Sequence, residues 1–409
     1  MAEGRSRPAW AEIDLGALSH NAATLARLTQ PAALCAVVKA DGYGHGAVTA
    51  ARAALGGGAS CLAVALVDEG VELREAGIDA PILLLSEPPV DAVDELVAHR
   101  LTPTVAGTDV LGPLAAAARG AGRAVGVHVK VDTGMHRVGV APDGAPSLWS
   151  AVLDEPALGA EGLWTHLAVA DCASASDRAY TQSQLDRFAG VVDTIGRDRT
   201  RPGFLHTANS AGAVSWPSAR YDMVRCGIAL YGVAPSGAVA ADLAASGAAP
   251  LRPALALRST VAAVRRLEAG ERPSYGRWRA LPVDSQVATV PLGYADGVPR
   301  ALFTAGYSVL IGGRRRPLAG MVTMDQLVVD CGPEGDVAPG DEVTLLGRQG
   351  DDEITATEWA SLLGTIAYEV LCGIGPRVPR VAVGVPAATD RSPTGSPEGA
   401  SGRARAVAG

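Results

Sequence analysis

The chain has 409 residues, 48% hydrophobic and 19% charged, with a net charge of −8. That composition suits two or three globular domains, and the acidic balance excludes nucleic acid as a main partner. No apolar run reaches the roughly 18 residues of a membrane span, since Pro, Asp and Ser interrupt the small-residue stretch Val233–Ala249.

The N-terminus carries acidic residues where a signal peptide needs an apolar core, so a cytoplasmic location is expected. From there the chain repeats a short apolar strand, a turn and an amphipathic helix. Strands are predicted at 34–39, 61–67, 82–85, 102–105, 125–131, 162–166, 203–207 and 223–229. Helices are predicted at 47–54, 67–76, 90–97, 110–121, 147–153 and 177–195. Several strands are apolar on both faces, as parallel strands covered by helices must be. Eight successive units favour closure into an α/β fold of the (β/α)8 TIM-barrel type over an open doubly wound sheet, which places a site at the C-terminal strand ends.

The pattern changes after Pro250. Short alternating segments such as "SQVATVPLG" and "DEVTLLG", separated by Gly, Pro and Asp, predict a mostly antiparallel β domain. One helix, "TATEWASLLG", begins with a cap at Thr355 or Thr357. The expected division is a barrel over 1–250, whose first residues can pack on the β domain, then a β domain over 251–386 and a disordered tail over 387–409. The six cysteines are scattered without a C-x-x-C pair and read as core residues, so neither a disulfide framework nor a metal site is expected.

Only two of the 35 basic residues are lysines, Lys39 and Lys130. A lysine amine can form a Schiff base and can lose its proton near neutral pH when desolvated, whereas arginine can do neither. Codon bias toward arginine is the bland alternative, and it applies to Lys130 more than to Lys39. In "AVVKADGYGHG", Lys39 ends the first barrel strand and faces the mouth. Glycines follow for close backbone approach, with Tyr43 and His45, the latter read as a structural hydrogen-bonding residue.

Other strand ends are unusually polar. Lys130 lies in the fifth strand with Arg137 after it, and His166 ends the sixth. Asn209 and Ser210 follow the seventh and open a helix, a natural anion site. Arg225 lies in the eighth, followed by Gly227 and Ile228. Each has an ordinary structural explanation alone; their convergence on one barrel mouth points to a ligand site.

The motifs "AVVKADGYGHG", "VHVKVDTGMHRVGV", "THLAVAD", "HTANSAG", "DMVRCGIALYG", "SYG", "VPLGYADGVPR", "MDQ" and "TIAYE", in this order, resemble bacterial alanine racemases from Ala11 to about Pro379. The resemblance implies pyridoxal 5'-phosphate on Lys39, alanine as substrate, and head-to-tail homodimers with shared active sites that supply D-alanine for peptidoglycan. Lys39 would be one base and Tyr275, from the other subunit, the second. Tyr43, Ser210, Tyr368 and the backbone of Gly227 and Ile228 would hold the phosphate, and Arg225 would face the pyridine nitrogen, with His166 and Asn209 beside the cofactor. Arg137 and the backbone of Met324 would hold the substrate carboxylate, Tyr294 would narrow the entrance and Asp325 would line the site. Lys130 matches a position that is carbamylated in some members and orients Arg137.

Three positions depart from the family pattern. His136 stands where glycine is usual, Met321 where an arginine pairs with the residue matching Asp171, and Ala367 where asparagine is usual. Arg314, Arg315 and Arg316 are candidates to replace the missing cation. A decarboxylase of the same barrel is disfavoured by Arg225, and a non-catalytic cofactor carrier by Tyr275. A racemase of serine or another amino acid, or a resistance-linked duplicate, stays open.

Overall fold

The structure is a computed structural model that describes residues 7–198 and 202–384; the tail expected at 387–409 lies outside the described residues. The first strand, β1 (Ala9–Asp14), stands apart from the barrel. Eight parallel strands follow: β2 (Ala33–Val37), β3 (Cys61–Val64), β4 (Ile82–Leu84), β5 (Thr104–Val105), β6 (Val125–Lys130), β7 (Leu158–Trp164), β8 (Phe204–His206) and β9 (Met223–Cys226). They form two arcs, ordered β4-β3-β2-β9 and β5-β6-β7-β8. The Thr102 amide and carbonyl close one seam, bonding Ile82 and Leu84 at 2.9 and 2.8 Å. The Asp222 amide to Leu205 O (3.0 Å) and the Arg225 amide to Ala208 O (2.9 Å) close the other.

All eight predicted barrel strands are present, but all except β5 stop short of their predicted ends, among them β2 and β9. β2 ends at Val37 rather than Lys39, because Val38 turns out of the extended region (φ −117°, ψ 18°). β9 ends at Cys226, where Gly227 (φ −104°, ψ −95°) bends the chain into a 3-10 turn over Ile228–Tyr231. Three helices were not anticipated: Leu15–Thr29, Gly237–Ala245 and Ala367–Cys372. The first is capped by the Asp14 carboxylate, which accepts from the Ala17 amide at 2.9 Å, and it buries Leu18, Ala22 and Leu25 at helical spacing.

The rest of the chain is largely antiparallel. Its strands are β10 (Leu255–Thr260), β11 (Ala263–Leu267), β12 (Ser285–Val290), β13 (Ser308–Ile311), β14 (Arg314–Pro317), β15 (Leu327–Asp330), β16 (Glu342–Gln349), β17 (Asp352–Ile354) and β18 (Arg380–Val383). The larger, seven-stranded sheet runs β14-β13-β16-β10-β1-β18, with β17 on β16, and β11-β12-β15 form the smaller. β1 pairs antiparallel with β10 and parallel with β18, and it turns Ala9, Ala11 and Ile13 inward on alternate residues. β1 and β18 therefore lie side by side, and Arg380 of β18 reaches the turn after β2.

Candidate active site

Lys39 opens a turn wound left-handed. Ala40, Asp41, Gly42 and Tyr43 have φ of 51–60° and ψ of 39–54°. Each of the three non-glycine residues costs about 1–2 kcal/mol there, so tertiary contacts must offset the turn. The Asp41 carboxylate accepts from the Ala47 amide at 2.8 Å, His45 Nδ1 pairs with Tyr43 O at 2.9 Å, and Arg380 Nε donates to Gly44 O at 2.9 Å. The turn aims Lys39 and Tyr43 into the same space.

That space is a cavity of about 560 Å³ lined by Lys39, Tyr43, Lys130, Arg137, His166, Asn209, Ser210, Arg225, Gly227, Ile228 and Tyr368. Both lysines of the chain and two arginines share it, and its wall contains no Asp or Glu. Such a lining demands an anion. Ser210 Oγ accepts from the amides of Gly227 and Ala229 at 3.0 and 3.4 Å, gathering hydroxyl and backbone groups at one end. A Cβ at Gly227 would collide with the Tyr43 phenolic oxygen, so only glycine lets that phenol sit against the backbone.

Arg225 is buried at the centre of the site. Its guanidinium donates to His206 Nδ1 (2.7 Å) and to the carbonyls of His206 (3.0 Å), Thr165 (2.8 Å) and Thr207 (3.1 Å), and it lies 3.5 Å from His166 Nδ1. Burial lowers its pKa to about 10, which leaves it charged at neutral pH. Burial, followed by the Arg225 charge, holds His206 and His166 well below the usual histidine range. Neutral His206 thus accepts at Nδ1 and donates from Nε2 to His128 Nδ1, 2.8 Å away. Sequence reading missed His128 and His206. The signal for His128 was its position two residues before Lys130 in a valine strand, which puts both on one face.

Lys130 is 4% exposed, with Nζ 4.4 Å from the centroid of the Trp164 ring, which also carries the Arg225 guanidinium at 4.5 Å. Burial first, then the charges of Arg137 and Arg225, lower its pKa to about 8. Burial and Arg137 lower Lys39 as well, against a raising influence from Glu69.

Four residues singled out in the sequence lie elsewhere, on the β domain. Tyr275 is 73% exposed and Met324 and Tyr294 are also exposed; Asp325 is ion-paired to Arg377 at 2.7 Å. Tyr275 is displayed by a turn in which Ser274 (φ 68°) and Arg277 (φ 49°) are left-handed, pinned by Ser274 Oγ donating to Met321 O at 2.6 Å. His136 also has positive φ, 55°, which explains why glycine suits that position. Arg314 and Arg316 pair with Asp336, and Arg315 with Asp352 and Glu358, so none of the three is paired with Asp171.

Comparison with known proteins agrees with this geometry. The family described as "Alanine racemase, N-terminal domain" matches residues 13–235, and "Alanine racemase, C-terminal domain" matches 254–382. The chain belongs to the alanine racemase family. It is 44% identical to the alanine racemase of Symbiobacterium thermophilum over 374 residues, 91% of this chain and 97% of that one. The solved alanine racemase of Streptomyces coelicolor A3(2) superposes with a TM-score of 0.85 at 40% identity, covering 92% of this chain and 98% of the other. That of D-cycloserine-producing Streptomyces lavendulae gives 0.85 at 38% identity, covering 93% and 98%. Alanine racemases are pyridoxal-phosphate-dependent isomerases. The acid-free cavity, its paired lysines and the Gly227–Tyr43–Ser210 cradle fit that phosphorylated aldehyde. No helix among the described residues is long and apolar enough to cross a membrane.

Proposed function

We propose that this chain interconverts L- and D-alanine by two opposed bases, Lys39 and the Tyr275 of a second copy, within a head-to-tail homodimer. The observation that carries the reading is the division of the site. Every lysine of the chain lines one acid-free cavity, while Tyr275 stands exposed on the β domain of the same chain. Tyr275, Trp278, Tyr294 and Met324 are exposed together on the β domain, an apolar and aromatic set suited to covering a partner's barrel mouth.

Pyridoxal phosphate, when bound, supplies the electron sink that makes an amino acid Cα proton removable. Lys39 would anchor it, Tyr43, Ser210, Tyr368 and the amides of Gly227 and Ile228 would hold its phosphate, and His166 and Asn209 would lie beside it. Arg225 acts as a hydrogen-bond donor and does not surrender its proton, so a cofactor ring nitrogen facing it would stay unprotonated. That would weaken the sink and favour quick return of the proton over side reactions. Lys39 Nζ, its pKa lowered by burial, moves a proton on one face and Tyr275 Oη on the other. Arg137 and the Met324 backbone hold the substrate carboxylate, Asp325 lines the substrate side and Tyr294 narrows the approach. Lys130, as a carbamate, orients Arg137.

The D-alanine so made serves peptidoglycan, and the six free thiols suit a reducing cytoplasm. A racemisation assay over a panel of L- and D-amino acids tests the reading. Fastest turnover with alanine is expected. Faster turnover of serine or a larger amino acid would overturn the substrate, and no racemisation at all would overturn the reaction.

A further inference from the structure

Glu69 belongs to none of the groups above, yet it touches the turn that carries Lys39. It lies in the helix Val67–Glu75 that follows β3. Its Oε1 accepts from the Ala40 amide at 2.6 Å, and its Oε2 accepts from the amides of Ala65 and Leu66 at 2.7 and 3.1 Å. Ala40 and Ala65 both line the cavity. One carboxylate therefore joins the ends of two neighbouring barrel strands at its rim, through short charge-assisted bonds. The turn is gripped from the other side by Arg380, which donates to Gly44 O at 2.9 Å. Arg380 is itself fixed on the carbonyls of Ile374, Gly375 and Val378 at 2.5, 2.6 and 2.7 Å.

We propose that Glu69 is a positioning residue for the reaction: it holds Ala40 in the left-handed conformation and so fixes Lys39 relative to Tyr43, the two ends of the cofactor cradle. The inference rests on the roles given above to those two residues. A plain structural prop would add only stability. Glu69 does more, because its charge also bears on the Lys39 amine. Besides burial, the groups acting on that amine are Arg137, which lowers its pKa, and Glu69 and Cys372, which raise it.

The test uses Glu69→Gln, which keeps the size of the side chain but removes the charge and turns an NH2 toward an amide donor. With only two lysines in the chain, lysine-selective nitrogen-15 labelling of the apoprotein gives two side-chain signals, assigned with Lys130→Met. Glu69→Gln is expected to weaken pyridoxal phosphate binding by about ten- to a hundred-fold. It is also expected to lower the titration midpoint of Lys39 while leaving that of Lys130 in place. Adding Ala40→Gly, which removes the backbone demand, restores about ten-fold of the affinity but not the midpoint; it also serves as the background if Glu69→Gln alone does not fold. A fall in melting temperature with unchanged affinity and midpoint would overturn the proposal. Wild-type protein that takes up no cofactor on Lys39 would overturn the site reading itself, and the clamp with it.

Discussion

Removing carbon dioxide from the buffer is a perturbation aimed at Lys130. The amine is 4% exposed and faces the Trp164 ring, with Arg137 and Arg225 as cationic neighbours. The drop in its pKa from the ordinary 10.5 to about 8 is worth about 3 kcal/mol against the ammonium. Between those two values the native state binds fewer protons than the unfolded chain, so stability rises with pH across the window. Below about pH 8 the penalty of the bare amine is present in full. The same lost proton frees the nitrogen lone pair to attack carbon dioxide. An N–C bond forms, a C=O electron pair moves to oxygen, and an N–H proton leaves to solvent. The cation becomes an anion between two arginines. At pH 8 in bicarbonate, carbon-13 NMR should show one carbamate signal that Lys130→Met lacks. In carbon-dioxide-free buffer the signal goes, Arg137 loses its partner, and the KM for alanine rises several-fold until bicarbonate is returned. There, at pH 7, Lys130→Met should be about 3 kcal/mol more stable than the wild type, the gap closing toward pH 10.5. No carbamate signal, with turnover indifferent to carbon dioxide, would refute the reasoning.

Lys39→Ala should abolish the visible absorption of the holoenzyme and lower kcat by about a thousand-fold or more; retained absorption contradicts its role as anchor. Gly227→Ala sets a methyl against the Tyr43 phenol, which should cost about 1–3 kcal/mol and weaken cofactor binding measured by titration. Unchanged affinity would mean that the cradle is elsewhere. Arg225→Lys keeps a charge but cannot serve His206 Nδ1 and three carbonyls together. A loss of about 2–4 kcal/mol in denaturant is expected, with a shift in the pH dependence of cofactor absorption.

The barrel was legible because its strands are apolar runs at regular spacing, and residues at their ends or in the loops after them needed only that placement to be grouped. Lys39, Lys130, His166, Arg225 and Ser210 were found this way. The helix Leu15–Thr29 was equally legible, with Asp14 as its cap. The left-handed turn was not legible. Glycine accounts for Gly42, but Ala40, Asp41 and Tyr43 share that conformation in a turn held in part by Glu69 and Arg380, which are remote in sequence. The engagement of Arg314–Arg316 was equally hidden, since their partners Asp336, Asp352 and Glu358 meet them only through sheet register and loop packing. Tyr275 illustrates a different limit: the role proposed for it depends on a second copy of the chain.

Mixing two inactive variants tests the shared site most directly. Lys39→Ala and Tyr275→Phe are each expected to be inactive. In a mixed dimer one site carries both substitutions and the other carries neither. Random pairing makes half the dimers mixed, so activity should return to about a quarter of wild type. Mixed dimers that form, as shown by capture on two different tags, yet stay inactive would contradict a second base donated by the partner.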